Sequence, residues 1–197
     1  MALKTFVKVS GINNLSDARY CAGMGVNQLG FNIEPNHENY TDPKSFKELS
    51  DWVSGVEFVG EVECERNIEG LIADYAIDAL QVSEISLIPS ALASDKPVIY
   101  YSTDLQSAQK ASNEYADQLS YILLEDESAD ANSVKELATK VDLVIGSGLE
   151  ADSIDDLLNE VQLKGIALKG GNEIRPGYKD FDAMADILEA LDADEYA

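Results

Sequence analysis

Short apolar or β-branched runs recur along the chain, separated by stretches whose apolar residues return at helical spacing. The strand-like runs are Thr5–Ser10, Gln28–Ile33, Val56–Val62, Ala79–Val82, Pro97–Tyr101, Leu119–Leu124, Asp142–Ile145 and Gly165–Leu168. Between them, Ala18, Cys21, Ala22 and Val26 share one helical face, as do Phe46, Leu49 and Val53, and later Ile154, Leu157, Leu158 and Val161. Helix starts carry suitable capping chemistry: Asn14 or Ser16 for the first, Asp42 followed by Pro43 for the second, and Asp152 with Ser153 after the seventh strand. Gly25 suits the stop of the first helix. Strand alternating with helix, about 20 to 25 residues per unit and repeated through all these runs, is the sequence form of a parallel sheet closed into an α/β (β/α)8 TIM barrel. An open doubly wound sheet is the competing architecture, but no Gly-x-Gly-x-x-Gly follows the first strand.

At 197 residues such a barrel is minimal, and the pattern shows neither a linker nor a second domain, so residues 1–197 are expected to form one. Asp126–Asn132 is an acidic connection, and Ala190–Ala197 is expected to be a frayed tail. Apolar residues make up 45% of the chain and mean hydropathy is -0.16, values of a globular protein with a real core. The 37 acidic against 14 basic residues leave a formal charge of -23, which repels phosphate backbones and anionic membranes, so neither nucleic acid nor membrane is an expected partner. That acidity also suits a heavily solvated surface. No apolar run is long enough for a membrane helix, and residues 1–11 lack the pattern of a signal peptide, which points to the cytoplasm. Cys21 and Cys64 are expected as buried thiols, and with a single His37 they make no zinc site.

In a barrel the chemistry sits where strands end. Alternation along the first strand puts Lys8 and Ser10 inward and Val7 and Val9 toward the helices. A lysine inside a barrel needs either a structural ion-pair partner or a ligand. Gly146-Ser147-Gly148 after the seventh strand and Lys169-Gly170-Gly171 after the eighth expose backbone N–H groups of the kind that cradle phosphate, although two tight turns would use the same glycines. Lys169 can meet a phosphate, form a Schiff base if strongly desolvated, or pair with Glu125.

The run Val7-Lys8-Val9-Ser10-Gly11-Ile12-Asn13-Asn14-Leu15, with Asp17-Ala18, Gly23–Gly25 and Leu29-Gly30-Phe31, resembles the start of the phosphoribosylanthranilate isomerase family of tryptophan biosynthesis. Pro35 and Tyr40–Pro43 are similar to its loop after the second strand, and Val59-Gly60, Leu80-Gln81 and Leu123-Leu124-Glu125 to its third, fourth and sixth strands. Gly148-Leu149 and Gly170-Gly171-Asn172-Glu173, then Pro176-Gly177 and Lys179-Asp180, resemble its phosphate loops. The resemblance implies a barrel that performs an Amadori rearrangement with a general acid and a general base and needs neither metal nor cofactor.

Carried over residue by residue, the resemblance also marks departures. Ser10 stands at the position of the cysteine base, and an isolated hydroxyl lies far above neutrality. Glu125 takes the place of the acid, with Asp126 beside it. Asn39 replaces the arginine that grips the anthranilate carboxylate, Ser83 replaces a histidine, and Ala167 an aspartate. Ser147, Gly148, Lys169, Gly170, Gly171 and Lys8 remain as candidates for holding a phosphorylated sugar or another phosphate-containing molecule. The expectation is therefore a phosphoribosylanthranilate isomerase-like barrel with a partial phosphate site and little ordinary turnover. The rivals are a working isomerase with a rearranged site, an enzyme for another phosphorylated carbonyl compound, and a non-catalytic binding barrel. The oligomeric state is left open.

Overall fold

The computed structural model describes residues 2–170, 173–175, 178–179 and 182–193. Eight parallel strands close into a barrel in sequential order: β1 (Phe6–Ser10), β2 (Gln28–Asn32), β3 (Glu57–Val62), β4 (Ala79–Val82), β5 (Val98–Ser102), β6 (Tyr121–Leu124), β7 (Leu143–Ile145) and β8 (Gly165–Lys169). Closure comes from β1 against β8, which pair from Phe6↔Gly165 through Ser10↔Lys169. Around the barrel lie α1 (Leu15–Gly23), α2 (Pro43–Ser50), α3 (Ile68–Ile72), α4 (Ile88–Leu92), α5 (Leu105–Tyr115), α6 (Ala131–Ala138), α7 (Ile154–Glu160) and α8 (Asp182–Ala190). Each strand-like run of the sequence became a strand, with ends shifted by at most two residues.

The capping chemistry is realised where a short polar side chain can reach back. Asn14 accepts from the Asp17 N–H at 3.0 Å, and Asp42 accepts from the Lys44 and Ser45 N–H groups ahead of Pro43. Ser153 precedes α7 but makes no side-chain cap bond. Gly25, with φ of 82°, follows the end of α1.

Two apolar layers follow from strand alternation. Outward residues such as Val7, Val9, Leu29 and Phe31 are buried against the helices, where Phe31, Phe46, Phe58 and Tyr75 pack edge to face. Val59, Ala79, Ile99, Tyr121, Leu123, Val144 and Ala167 form a second cluster inside the barrel. Its floor is polar as well as aromatic: Tyr121 donates to Gln28 at 2.6 Å, Gln28 donates to Glu57 at 2.8 Å, and Phe6 meets Tyr121 edge on.

Three local expectations are corrected. Of the tail expected over Ala190–Ala197, residues 190–193 are not frayed, because Leu191 is fully buried, its carbonyl accepts from the Lys4 N–H, and Leu3 bridges Asp192, while 194–197 lie outside the described residues. Cys64 is exposed, since it lies on the turn beyond β3, whereas Cys21 is buried on the inner face of α1. Two short antiparallel strands, β9 (Glu173–Arg175) and β10 (Tyr178–Lys179), follow β8 where the sequence showed only a loop. No helix among the described residues is long and apolar enough to cross a membrane.

Candidate active site

The C-terminal ends of β1 to β5 and β8 surround a cavity of about 600 Å³. At its base Lys8, fully buried, donates from Nζ to Glu61 Oε1 and to Ser10 Oγ, each at 2.5 Å. The Gly11 N–H points at Glu61 Oε2 from 3.3 Å, in a turn where φ of 71° suits glycine. Gly30 makes the pair possible: a Cβ on this residue would lie 2.0 Å from Glu61 Oε1 and 2.8 Å from Lys8 Nζ. Of the two expected roles for Lys8, the structure shows the ion pair. Its ammonium reaches a ligand only through Ser10 or Glu61, both of which line the cavity.

Ser10 Oγ accepts its hydrogen bond from an ammonium. That contact supplies no proton acceptor for the hydroxyl. A carboxylate stands beside it instead. Glu61 was not visible as a candidate in the sequence because its relation to Lys8 spans 53 residues of chain.

Glu125 lies on the β5–β6–β8 side. Tyr101 donates to its Oε2 at 2.9 Å and Lys169 pairs with the same oxygen at 2.5 Å. Gly146 leaves room for it, since a Cβ there would come within 2.5 Å of Glu125 Cγ. Burial would lower the Lys169 pKa, but the Glu125 hydrogen bond and charge outweigh it, and the ammonium is held above its ordinary range. This disfavours Schiff-base chemistry, which needs the free amine. Burial, and then the contact with Glu125, push Tyr101 up to about 12.

Asp126, the second carboxyl expected there, serves the loop. It accepts from the Leu105 N–H at 3.0 Å and from the Ser128 N–H and hydroxyl at 2.9 and 2.6 Å, and these bonds, the Ser128 hydroxyl's foremost, lower its pKa. It does not line the main cavity. With Ser147 and Gly148 it borders a second cavity of about 400 Å³, which has an apolar floor of Leu124 and Ile145 and an acidic rim including Glu127 and Glu160.

The expected phosphate cradle is thus divided. Ser147 and Gly148 face the second cavity, while Lys169 and Gly170 face the first. The Gly170 N–H, expected to meet a phosphate, is spent on the Ser10 carbonyl at 3.0 Å as the β1–β8 ladder runs one residue further. Gly171 and Asn172 lie outside the described residues, as do Pro176, Gly177 and Asp180.

On the far side of the cavity, His37 accepts at Nδ1 from the Asn39 N–H and meets Glu63 through Nε2 at 3.1 Å. The His37 side chain is 23% exposed there. Glu34 accepts N–H bonds from Glu63 and Cys64, both at 2.9 Å, and from Glu65. Burial would raise its pKa, and these amides more than offset that, leaving it below the usual glutamate value. The charge of Glu34, followed by burial, pushes the Cys64 thiol up, so Cys64 is a poor nucleophile.

Over 214 aligned positions the chain is 27% identical to N-(5'-phosphoribosyl)anthranilate isomerase of Synechococcus sp. (strain JA-2-3B'a(2-13)), covering 95% of this chain and 91% of that protein. The isomerase of Sulfurihydrogenibium sp. (strain YO3AOP1) is 24% identical, with 94% and 98% covered. Its relatives are phosphoribosylanthranilate isomerases. A phosphoribosylanthranilate isomerase solved with reduced 1-(o-carboxyphenylamino)-1-deoxyribulose 5-phosphate superimposes with a TM-score of 0.77 at 23% identity, covering 95% of this chain and 98% of that one. Monomers generated from the dimeric Thermotoga maritima phosphoribosylanthranilate isomerase give 0.76 at 24% identity, with the same coverage. No family model matches the chain. This is a phosphoribosylanthranilate isomerase-like barrel, and against that relationship the Lys8–Glu61 and Glu125–Lys169 pairs are the chemistry to be accounted for.

Proposed function

We propose that this barrel binds a small phosphorylated sugar at its C-terminal mouth and performs the Amadori rearrangement of phosphoribosylanthranilate slowly or not at all. The observation that carries this reading is the engagement of both expected reacting groups. Ser10 faces the Lys8 ammonium, and Glu125 is ion-paired with Lys169. A general acid must deliver a proton to the ring oxygen, and a base must be basic enough to take one from carbon. Here the carboxyl in the acid position is held by a cation, and the group in the base position is a hydroxyl that itself faces a cation. Asn39 adds no charge with which to hold a carboxylate. Lys169, the last residue of β8, is a cation at the rim for a phosphate to meet.

Glu61 favours a second reading, a working isomerase with a rearranged site. Its carboxylate lies beside Ser10 and lines the cavity, so it can take the role of base, with the Lys169 ammonium as the proton donor across the mouth.

Turnover of phosphoribosylanthranilate by the purified protein, together with growth of a tryptophan auxotroph lacking the isomerase, separates the two. The first reading expects turnover several orders of magnitude below an ordinary isomerase. It also expects a gain in Ser10→Cys with Asn39→Arg, because a thiol beside the Lys8 ammonium ionises more readily. Robust wild-type turnover that survives Ser10→Ala and is lost in Glu61→Gln would establish the second.

A further inference from the structure

Gln81 is 6% exposed and lines the main cavity, yet its Oε1 has no hydrogen-bond partner among the described residues. Buried amide oxygens are ordinarily satisfied, and an unsatisfied one on a side chain that lines a cavity marks a place where a small turn of the amide lets a donor from outside the protein be received. Its neighbours show what kind. Asn32 pairs in register with Glu61, and Glu61 with Gln81, so three consecutive strands β2, β3 and β4 carry a buried polar row at one level of the cavity wall. Adjacent strands are about 4.8 Å apart, so the row extends about 10 Å.

The members differ in what they have left to offer. The Asn32 Oδ1 already accepts from the Glu34 N–H at 3.0 Å, which leaves its NH₂ as a donor. The Glu61 oxygens meet Lys8 and the Gly11 N–H, yet each carboxylate oxygen retains a further lone pair. The charge of Glu61 is balanced by Lys8, so the row acts as an array of acceptors with one donor rather than as a cation trap. Ser10 and Ser83 add hydroxyls to the same wall.

We infer that the β2–β4 wall of the mouth recognises an uncharged chain of hydroxyl groups, with Gln81 Oε1 and Glu61 accepting and Asn32 donating. This rests on the reading that the mouth takes a sugar, and it specifies the part of the ligand remote from any phosphate. A hydroxyl both donates and accepts, so successive hydroxyls suit a row that alternates in this way. An aromatic carboxylate does not. It would set its lone pairs against those of Gln81 and Glu61, with Glu38 and Glu63 on the same wall and no arginine among the described residues that line it.

The test titrates the intact protein separately with ribitol, anthranilate and inorganic phosphate, following the side-chain amide of Gln81 by NMR. That signal is assigned by its loss in Gln81→Met. Ribitol is expected to shift it saturably at millimolar concentration. Gln81→Met should weaken ribitol binding at least threefold, and Lys140→Met, at an exposed site remote from the cavity, should leave it unchanged. Saturation by anthranilate and not ribitol, or equal ribitol affinity in Gln81→Met, would overturn the inference. Should Gln81→Met fail to fold, a Gln81 amide in the wild type that does not respond to ribitol overturns it equally, with the amide then assigned through the backbone. Failure of inorganic phosphate to bind, with ribitol binding intact, would count against the phosphosugar reading alone.

Discussion

Lys8 and Glu61 define the interior more sharply than any other two residues. A buried pair of this kind contributes modestly compared with well-packed apolar residues, but removing one partner strands the other charge, at about 3–5 kcal/mol. Lys8→Met is therefore expected to lower unfolding free energy by about that amount. Lys8→Met combined with Glu61→Leu should recover most of the loss, and a double-mutant cycle in urea would read the coupling directly. Equal losses that simply add would show that the contact is incidental. Across the mouth, Tyr101 offers a titration. Glu125 raises its pKa and Lys169 lowers it, against a background set by burial. Alkaline ultraviolet titration, corrected with Tyr101→Phe, should find it near 12 in the wild type, lower in Glu125→Gln and higher in Lys169→Met. Legibility at this scale was uneven. That Lys8 points inward followed from alternation with Val7 and Val9, but its partner did not, because nothing local ties Glu61 to the first strand. Gln81 was legible only as part of a similar strand; its unpaired oxygen is a fact of packing. The pairing of Glu125 with Lys169 was one of several options for two residues at the ends of alternate strands, β6 and β8, and geometry selected it.

Elements were read more successfully than sites because their signals are local. Runs of apolar and β-branched residues mark strands, and Asn14 and Asp42 mark helix starts within a few residues of chain. The misses fall where local pattern is weak. The 3-10 turn Ile85–Leu87 leading into α4 has no side-chain cap, and β9 with β10 interrupts a connection without periodicity. The turn after β3 is another such place, because its geometry depends on Glu34 from the segment beyond β2. That carboxylate gathers three successive amides, so the loop is fastened to its neighbour by charge-assisted bonds. Glu34→Gln should cost about 2 kcal/mol at neutral pH. The sign of its pH dependence follows from the lowered pKa. Stabilisation by this carboxylate is complete above its unfolded value, about 4.5, and is lost as pH falls through the lower folded value. The stability gap between wild type and Glu34→Gln should therefore be constant from pH 7 to about 5 and close on further acidification. A gap that widens in acid would mean that the loop is held by something else.

For the whole molecule, the decisive quantity is the formal charge of -23 on 197 residues. The ion pairs between exposed side chains, such as Lys47–Asp51 and Lys140–Glu136, are of the kind worth about 0–1 kcal/mol each. Acidic residues outnumber basic ones by more than two to one, so most carboxylates have no cation beside them and the compact state carries a net self-repulsion. Salt acts on both terms with opposite sign. It weakens the pairs, which stabilise, and it screens the repulsion, which destabilises. The range decides which wins. At about 0.01 M salt the Debye length is about 30 Å, comparable to the barrel itself, so every carboxylate feels the rest; at about 1 M it is about 3 Å, the span of a single contact. Long-range repulsion is thus removed at salt concentrations that leave the shortest contacts standing. Raising sodium chloride from about 0.02 to 0.5 M should increase Tm by several degrees, with most of the gain below about 0.2 M. The same screening governs ligands. An anion approaching the mouth meets this field before it meets Lys169, so phosphate should bind no more weakly, and even more tightly, as salt rises through that range. An affinity that falls steeply with salt would instead show that local cations at the rim dominate the field of the barrel.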